Sequence, residues 1–245
     1  MVLEVLGSSS KGNCYLLKSD NDILIVECGI SFSTIKRSVT DLNKVKGVLV
    51  THEHKDHCKY FDSIVKSGFD VYASKGTNSV LKERVTENHH RRLKDMEAMK
   101  VYEIGEFKVM GFNVYHDVKE PFGFLIYHPE CGTIMFATDT YLIGNKFSGV
   151  NHYLIEANYD RKTLFEEVNK GRTPKFQMRR VMESHFGLET CIYYLQSTDL
   201  SQVRNVVLLH LSDRHSDAVH MREEVEKAIS VPCYVADKNF SIILQ

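Results

Sequence analysis

The sequence predicts an α/β chain of the α+β kind, in which two mixed β-sheets face one another with helices outside. Three observations predict it. Short runs of apolar or β-branched residues, each bounded by turn residues, come in two series along the chain. Helical patterns follow each series, as they do when helices cover sheets. The 245 residues are 43% hydrophobic, ample for a sizeable core.

The first series comprises residues 3–6, 14–17, 23–26 and 48–51, divided by the turn signals at 7–12, 19–22 and Cys28-Gly29. Residues 31–42 predict a short helix, because Ile35 and Val39 lie four apart and share a face. The second series comprises 70–73, 101–104, 107–114, 124–127, 133–137 and 153–156. Helices are expected at 163–168, 190–196 and 218–229, with the wholly apolar strand 206–209 between the last two. No repeat, low-complexity tract or long linker interrupts the pattern, so residues 1–245 are expected to form a single domain.

Composition excludes several classes. A net charge of −1 is incompatible with a generally basic nucleic-acid coat, although it permits a local patch. No apolar run approaches a membrane span, so no membrane partner is expected. The opening strand pattern carries neither a charged leader nor a cleavage site. The six cysteines are dispersed without a CxxC pair and are expected to be reduced, as in a cytoplasmic protein.

The stretch Thr51-His52-Glu53-His54-Lys55-Asp56-His57 directly follows the apolar run Val48-Leu49-Val50. A strand that ends in three imidazoles and a carboxylate delivers several ligands to one point. His52 and His54 can reach one ion from an extended turn, and Asp56 and His57 a second. Imidazole nitrogen and carboxylate oxygen suit zinc, manganese or iron. Further candidates stand at other strand ends: His116 after 107–114, Asp139 after 133–137 and His210 after 206–209.

Two features point toward a phosphate-bearing substrate. The turn Ser8-Ser9-Ser10-Lys11-Gly12-Asn13 offers backbone N–H groups and a lysine, which makes Ser9, Ser10, Lys11 and Asn13 candidate phosphate contacts. Between Arg161 and Arg180 there are seven basic residues against two acids, with Arg172, Lys175 and Arg179 the candidates to track a phosphate backbone. Phe176 and Tyr159 are placed either to stack bases or to fill a core.

These positions resemble the metallo-β-lactamase fold superfamily, a four-layer αββα sandwich, through a complete HxHxDH motif at His52, His54, Asp56 and His57. Leu6-Gly7-Ser8-Ser9-Ser10-Lys11-Gly12-Asn13, His116-Asp117, Ala137-Thr138-Asp139-Thr140, Glu156-Ala157-Asn158, Ser184-His185-Phe186 and His210-Leu211-Ser212 narrow the likeness. In that order they look like the bacterial YycJ (WalJ) family of single-domain exonucleases, and more distantly like tRNase Z.

The resemblance implies two divalent metal ions, zinc or manganese, with iron as a further choice. His52, His54 and His116 would hold the first, Asp56, His57 and His210 the second, and Asp139 would bridge them. It implies a metal-dependent phosphodiesterase or nuclease, a DNA exonuclease by preference, in which a metal-activated hydroxide attacks. His185 would protonate the leaving oxygen, Glu156 would orient His185, and Asp56 would complete the catalytic group. Glu27 stands where the superfamily carries aspartate, and would support the metal loop from behind. Gly187 replaces a Ser or Thr common in relatives, which implies a looser start to the following helix.

Rival readings keep the fold. A cyclic nucleotide or other small phosphodiester is the first alternative to nucleic acid; a thioester or lactone hydrolase, against which Glu156, His185 and the basic segment argue, is the second. A metal-stabilised scaffold has no need of a proton donor. A β-lactamase fills the Asp139 position differently, and an oxygen-reducing di-iron protein typically carries glutamate where His54 stands. A homo-oligomer is compatible with the sequence.

Overall fold

The computed structural model describes all 245 residues, Met1–Gln245. The chain groups into two compact units, one of Met1–Asn113, Val118–Gly132 and Asp237–Gln245, the other of Val114–Asp117 and Thr133–Ala236.

The first unit opens with β1 (Val2–Gly7), β2 (Cys14–Lys18) and β3 (Ile23–Val26). Helix α1 (Phe32–Ser38) leads to β4 (Val45–Leu49), and α2 (Lys55–Cys58) and α3 (Phe61–Lys66) lead to β5 (Val71–Ser74). Next come α4 (Lys75–Lys82), α5 (Glu87–His90) and β6 (Leu93–Met96). The strands β1, β2 and β3 pair antiparallel through tight turns, whereas β3 to β6 run parallel, each joined to the next by a helical crossover. Strand β3 is buried along its whole length, as expected of a strand covered on both faces. Ile25, Val48 and Val71 from the sheet pack with Ile35, Phe61, Ile64 and Leu81 from α1, α3 and α4 in one apolar cluster. The unit also contains the antiparallel strands β7 (Val101–Ile104), β8 (Phe107–Asn113) and β9 (Phe122–His128).

The second unit contains β10 (Gly132–Ala137), β11 (Val150–Glu156), α6 (Arg161–Asn169), α7 (Lys175–Ser184), α8 (Leu188–Gln196), β12 (Asn205–Leu209), α9 (Ala218–Ile229) and β13 (Cys233–Val235). Its strands β10 to β13 are parallel neighbours in sequence order, so their C-terminal ends, at Ala137, Glu156 and Leu209, point the same way. Ligand sites of parallel sheets form at that edge. The chain ends with β14 (Ser241–Ile243), antiparallel to β1. The two mixed sheets thus have seven strands each, ordered β14-β1-β2-β3-β4-β5-β6 and β13-β12-β11-β10-β9-β8-β7. No helix is long and apolar enough to cross a membrane.

The helix expected over 31–42 ends at Ser38. Val39 turns extended, and Asp41 caps a separate 3-10 turn over Leu42–Lys44 by accepting from Asn43 N–H. Five further helices and three further strands are absent from the sequence reading. Helix α7 buries only Ser184, so it has no apolar stripe to betray it. Strand β6 reads Leu-Lys-Asp-Met, with its charged pair masking the run, and β13 and β14 are three residues long.

Candidate active site

The HxHxDH segment follows β4. His52, His54 and His57 converge within the first unit: the His52 ring centroid lies 4.8 Å from that of His54 and 4.2 Å from that of His57. His54 starts α2, which places Asp56 in its first turn and His57 one residue on, with His57 Nε2 3.2 Å from Asp56 Oδ2. The loop is pinned from behind. Asn13 N–H donates to Asp56 O at 2.7 Å, and Cys28 N–H to His57 O at the same distance. Here the chain passes so close to Gly29 that a Cβ would stand 1.7 Å from Asp56 O, so only glycine fits.

Glu27 follows β3 with φ 67°, a left-handed backbone that is costly for a non-glycine residue, and is fully buried. Its Oε1 accepts from Thr51 Oγ1 at 2.5 Å and from Thr51 N–H at 3.3 Å, and lies 3.4 Å from His57 Nδ1. Burial pushes the Glu27 carboxyl above its usual range, with His57 pulling against it. Thr51 Oγ1 also lies 2.9 Å from His52 Nδ1.

In the second unit, Asp139 and His210 each follow a parallel strand and are likewise left-handed, at φ 47° and 54°. His116 Nδ1 donates to Ser184 O at 3.1 Å, which leaves its Nε2 3.8 Å from Asp139 Oδ2. His210 Nδ1 lies 3.0 Å from Asp139 Oδ1 and 3.1 Å from Glu156 Oε1. Three histidines, His52, His116 and His210, therefore have Nδ1 in hydrogen-bond contact with an oxygen of their own unit. That arrangement fixes the ring and assigns Nε2 as the ligating nitrogen, the pattern seen behind metal-bound histidines. The donor set fits a divalent transition metal on that observation.

Glu156, at the end of β11 and fully buried, is the hub of the second unit. Its Oε1 accepts from His185 Nδ1 at 2.7 Å, and its Oε2 from Thr140 N–H at 3.0 Å and Phe186 N–H at 3.1 Å. Ligand atoms of Asp139, Glu156, His185 and His210 all lie within 4.8 Å of one another. Burial acts against the His185 imidazolium, but the adjoining Glu156 carboxylate outweighs it and raises His185 above the ordinary histidine value. Burial likewise acts to raise Glu156, and His185 and His210 hold it below the usual carboxylate range.

Several supporting residues escaped the sequence reading. Asn158 donates from Nδ2 to His210 O at 2.8 Å, and Thr140, Ser184 and Thr51 hold the groups named above. In the sequence they stand only as members of the phrases Glu156-Ala157-Asn158, Ala137-Thr138-Asp139-Thr140, Ser184-His185-Phe186 and Thr51-His52, with nothing to mark their own part.

The substrate candidates divide. Ser9 builds its own turn, accepting from Gly12 N–H at its carbonyl and from Lys11 N–H at its hydroxyl, while Ser10 and Lys11 are exposed. Asn13 is buried against the metal loop, its Nδ2 3.2 Å from His57 Nε2. Arg172 is clamped by both oxygens of Glu167, with 2.7 Å from Nε to Oε2. Lys175 and Arg179 are exposed on α7. Tyr159 is buried, whereas Phe176 is 77% exposed. Gly187 is also buried: the Tyr159 ring occupies the space a Cβ would need, and Leu188 N–H donates to Tyr159 O at 2.9 Å. The helix start is therefore braced, contrary to the looseness its glycine suggests.

His and Asp groups able to bind metal ions, set on loops at strand ends in a chain of two mixed seven-stranded sheets, define a metal-dependent hydrolase of the metallo-β-lactamase fold. The chain belongs to the β-lactamase superfamily domain family, whose model matches residues 24–211. It is similar to the exodeoxyribonuclease YycJ of Bacillus anthracis, with 28% identity over 85% of this chain and 81% of that protein. In three dimensions it resembles the metallo-β-lactamase fold protein YhfI of Bacillus subtilis, with a TM-score of 0.75 at 14% identity over 98% of both chains. The short form of human tRNase Z superposes with a TM-score of 0.67 at 13% identity over the whole of both chains. At such identities the structural likeness speaks for the fold alone.

Proposed function

We propose that the two units act together as one domain that hydrolyses phosphodiester bonds of DNA from an end. We take His52, His54, His116 and Asp139 as one ligand set, and Asp56, His57, Asp139 and His210 as another. In this reading His52, His54 and His116 would hold the first ion, Asp56, His57 and His210 would hold the second, and Asp139 would serve both. Zinc and manganese suit these donors, and iron is compatible. Two divalent ions so held neutralise phosphate charge and make water nucleophilic at neutral pH.

The chain's own groups do the rest. A phosphodiester's leaving alkoxide is a poor leaving group until protonated. With Nδ1–H donated to Glu156, His185 delivers that proton from Nε2, and the Glu156 carboxylate keeps the ring charged until it is needed. Asp56, braced by the Asn13 contacts, keeps its carboxylate in place beside His57. The Glu156–His185 pair carries this reading, since a scaffold that merely bound metal has no use for a proton donor. The exodeoxyribonuclease name of the Bacillus anthracis relative favours DNA over a small cyclic substrate.

The test is protein reconstituted with zinc or manganese and assayed on 5′- and 3′-labelled single- and double-stranded DNA, beside a cyclic nucleotide. Stepwise shortening of DNA is expected. Turnover of the cyclic nucleotide alone would replace the polymer with a small phosphodiester.

A further inference from the structure

Of the seven basic residues from Arg161 to Arg180, Lys170 and Arg172 are paired with Glu166 and Glu167. Arg179 and Arg180 are exposed on α7 and make no ion pair. Counted from Phe176, they stand three and four residues along, and Glu183 seven, so all four share one stripe of the helix. That stripe lines a cavity of about 470 Å³ whose wall also includes Tyr141 and His116. Tyr141 is 44% exposed, and its ring centroid lies 5.9 Å from that of Tyr115, itself 47% exposed.

One exposed phenylalanine needs no explanation. Here an aromatic side chain left in water stands beside two unpaired guanidinium groups on a concave wall that ends at a candidate metal ligand. Grooves for single-stranded nucleic acid have this composition: cations follow the phosphates, and aromatic faces stack the bases. Order along the helix adds direction. Phe176 lies at the outer end and the arginines one turn in. Glu183 and Asp117 sit at the end beside His116, where they repel an anion that is not drawn in by metal. Nine residues separate Phe176 from His185, about 14 Å of helix.

We propose that this stripe of α7 is a binding wall for single-stranded DNA, with Arg179 and Arg180 on the phosphates and Phe176, helped by Tyr141, stacked on a base. The wall feeds one unpaired strand toward His116 and His185. Bases in a duplex already stack on one another, so only an unpaired strand offers a free face to Phe176. The proposal rests on the phosphodiesterase reading for the identity of the ligand and for the chemistry at the wall's inner end.

The test measures anisotropy of a fluorescent phosphorothioate oligothymidylate, which resists cleavage, bound to the full metal-loaded chain. A duplex and an RNA oligonucleotide form the comparison arms. Tighter binding of single strand than of duplex is expected. Phe176→Ala should weaken it on the order of tenfold, Phe176→Leu nearly as much, and Phe176→Trp should restore it. Arg179→Ala with Arg180→Ala should lower the slope of log K against log salt by about 1.4, the release expected for two phosphate contacts on a single strand. Unchanged thermal midpoints would show that the variants fold. Wild-type affinity in Phe176→Ala, an unchanged salt slope, or a preference for duplex would each overturn the proposal. RNA bound far better than DNA would overturn the choice of sugar. Turnover of bis(p-nitrophenyl) phosphate by the wild-type enzyme checks the phosphodiesterase reading separately. If it is absent while the wall binds DNA, that reading fails and the wall stands.

Discussion

Glu156 Oε1 lies 2.7 Å from His185 Nδ1 and 3.1 Å from His210 Nδ1, so a single buried carboxylate orients both the candidate proton donor and a candidate metal ligand. One substitution at Glu156 therefore disturbs two functions that can be read separately. The pH profile reports the donor, and metal content reports the ligand.

The sign of the pH effect follows from the pair. His185 is raised above its ordinary value, because Glu156 outweighs burial. As a general acid it works only while protonated, so the rate is lost as pH rises through that raised value. Glu156→Gln removes the charge and leaves only the weaker pull of Asp139 against burial, and the alkaline limb of the pH–rate profile should move to lower pH. A limb that stays in place would show that some other group titrates there.

His185→Ala should retain its full metal content and fall in rate on the order of a hundred- to ten-thousand-fold, the range of a lost general acid. His52→Ala and Asp139→Ala should lose metal instead. Elemental analysis beside turnover separates the two outcomes, and a His185→Ala enzyme as fast as wild type would remove histidine from the proton-donor role.

Glu27 reaches Thr51 and His57 across a left-handed backbone. Glu27→Asp keeps the carboxyl group but withdraws it by one methylene from both partners. Metal affinity should fall by about 10- to 100-fold, as when outer partners of ligating histidines are removed. A competition titration with a chromophoric chelator measures it. Affinity equal to wild type would mean that the loop holds its shape through Asn13 and Cys28 alone.

The strand pattern was legible because β3, β10 and β12 are apolar along nearly their whole length, and burial leaves little else for such runs to do. The HxHxDH cluster is visible in the sequence because its candidate ligands are close along the chain. The supporting contacts are not. Ser184 holds His116 through a backbone carbonyl, which any residue supplies, and Glu27, Asp139 and His210 share a left-handed turn that no side-chain pattern announces. Helix α7 shows in the sequence only as part of a basic segment, because its exposed faces bear the charge and its one buried residue, Ser184, is polar.

Gly187 shows how far a residue-type argument can mislead. Glycine suggested a loose helix start, yet the Tyr159 ring stands 2.8 Å from where its Cβ would lie. Gly187→Ala should push that ring out of place and cost about 1–3 kcal/mol, the usual penalty for overpacking a filled site. The damage should spread to turnover, because His185 and Phe186 precede Gly187 directly and Phe186 N–H donates to Glu156. A thermal melt gives the stability loss. In the double variant with Tyr159→Ala the steric cost of the alanine should vanish, so the two losses should fall short of additive. Strict additivity would mean that the ring does not oppose the new methyl, and that the helix start is as loose as its glycine implies.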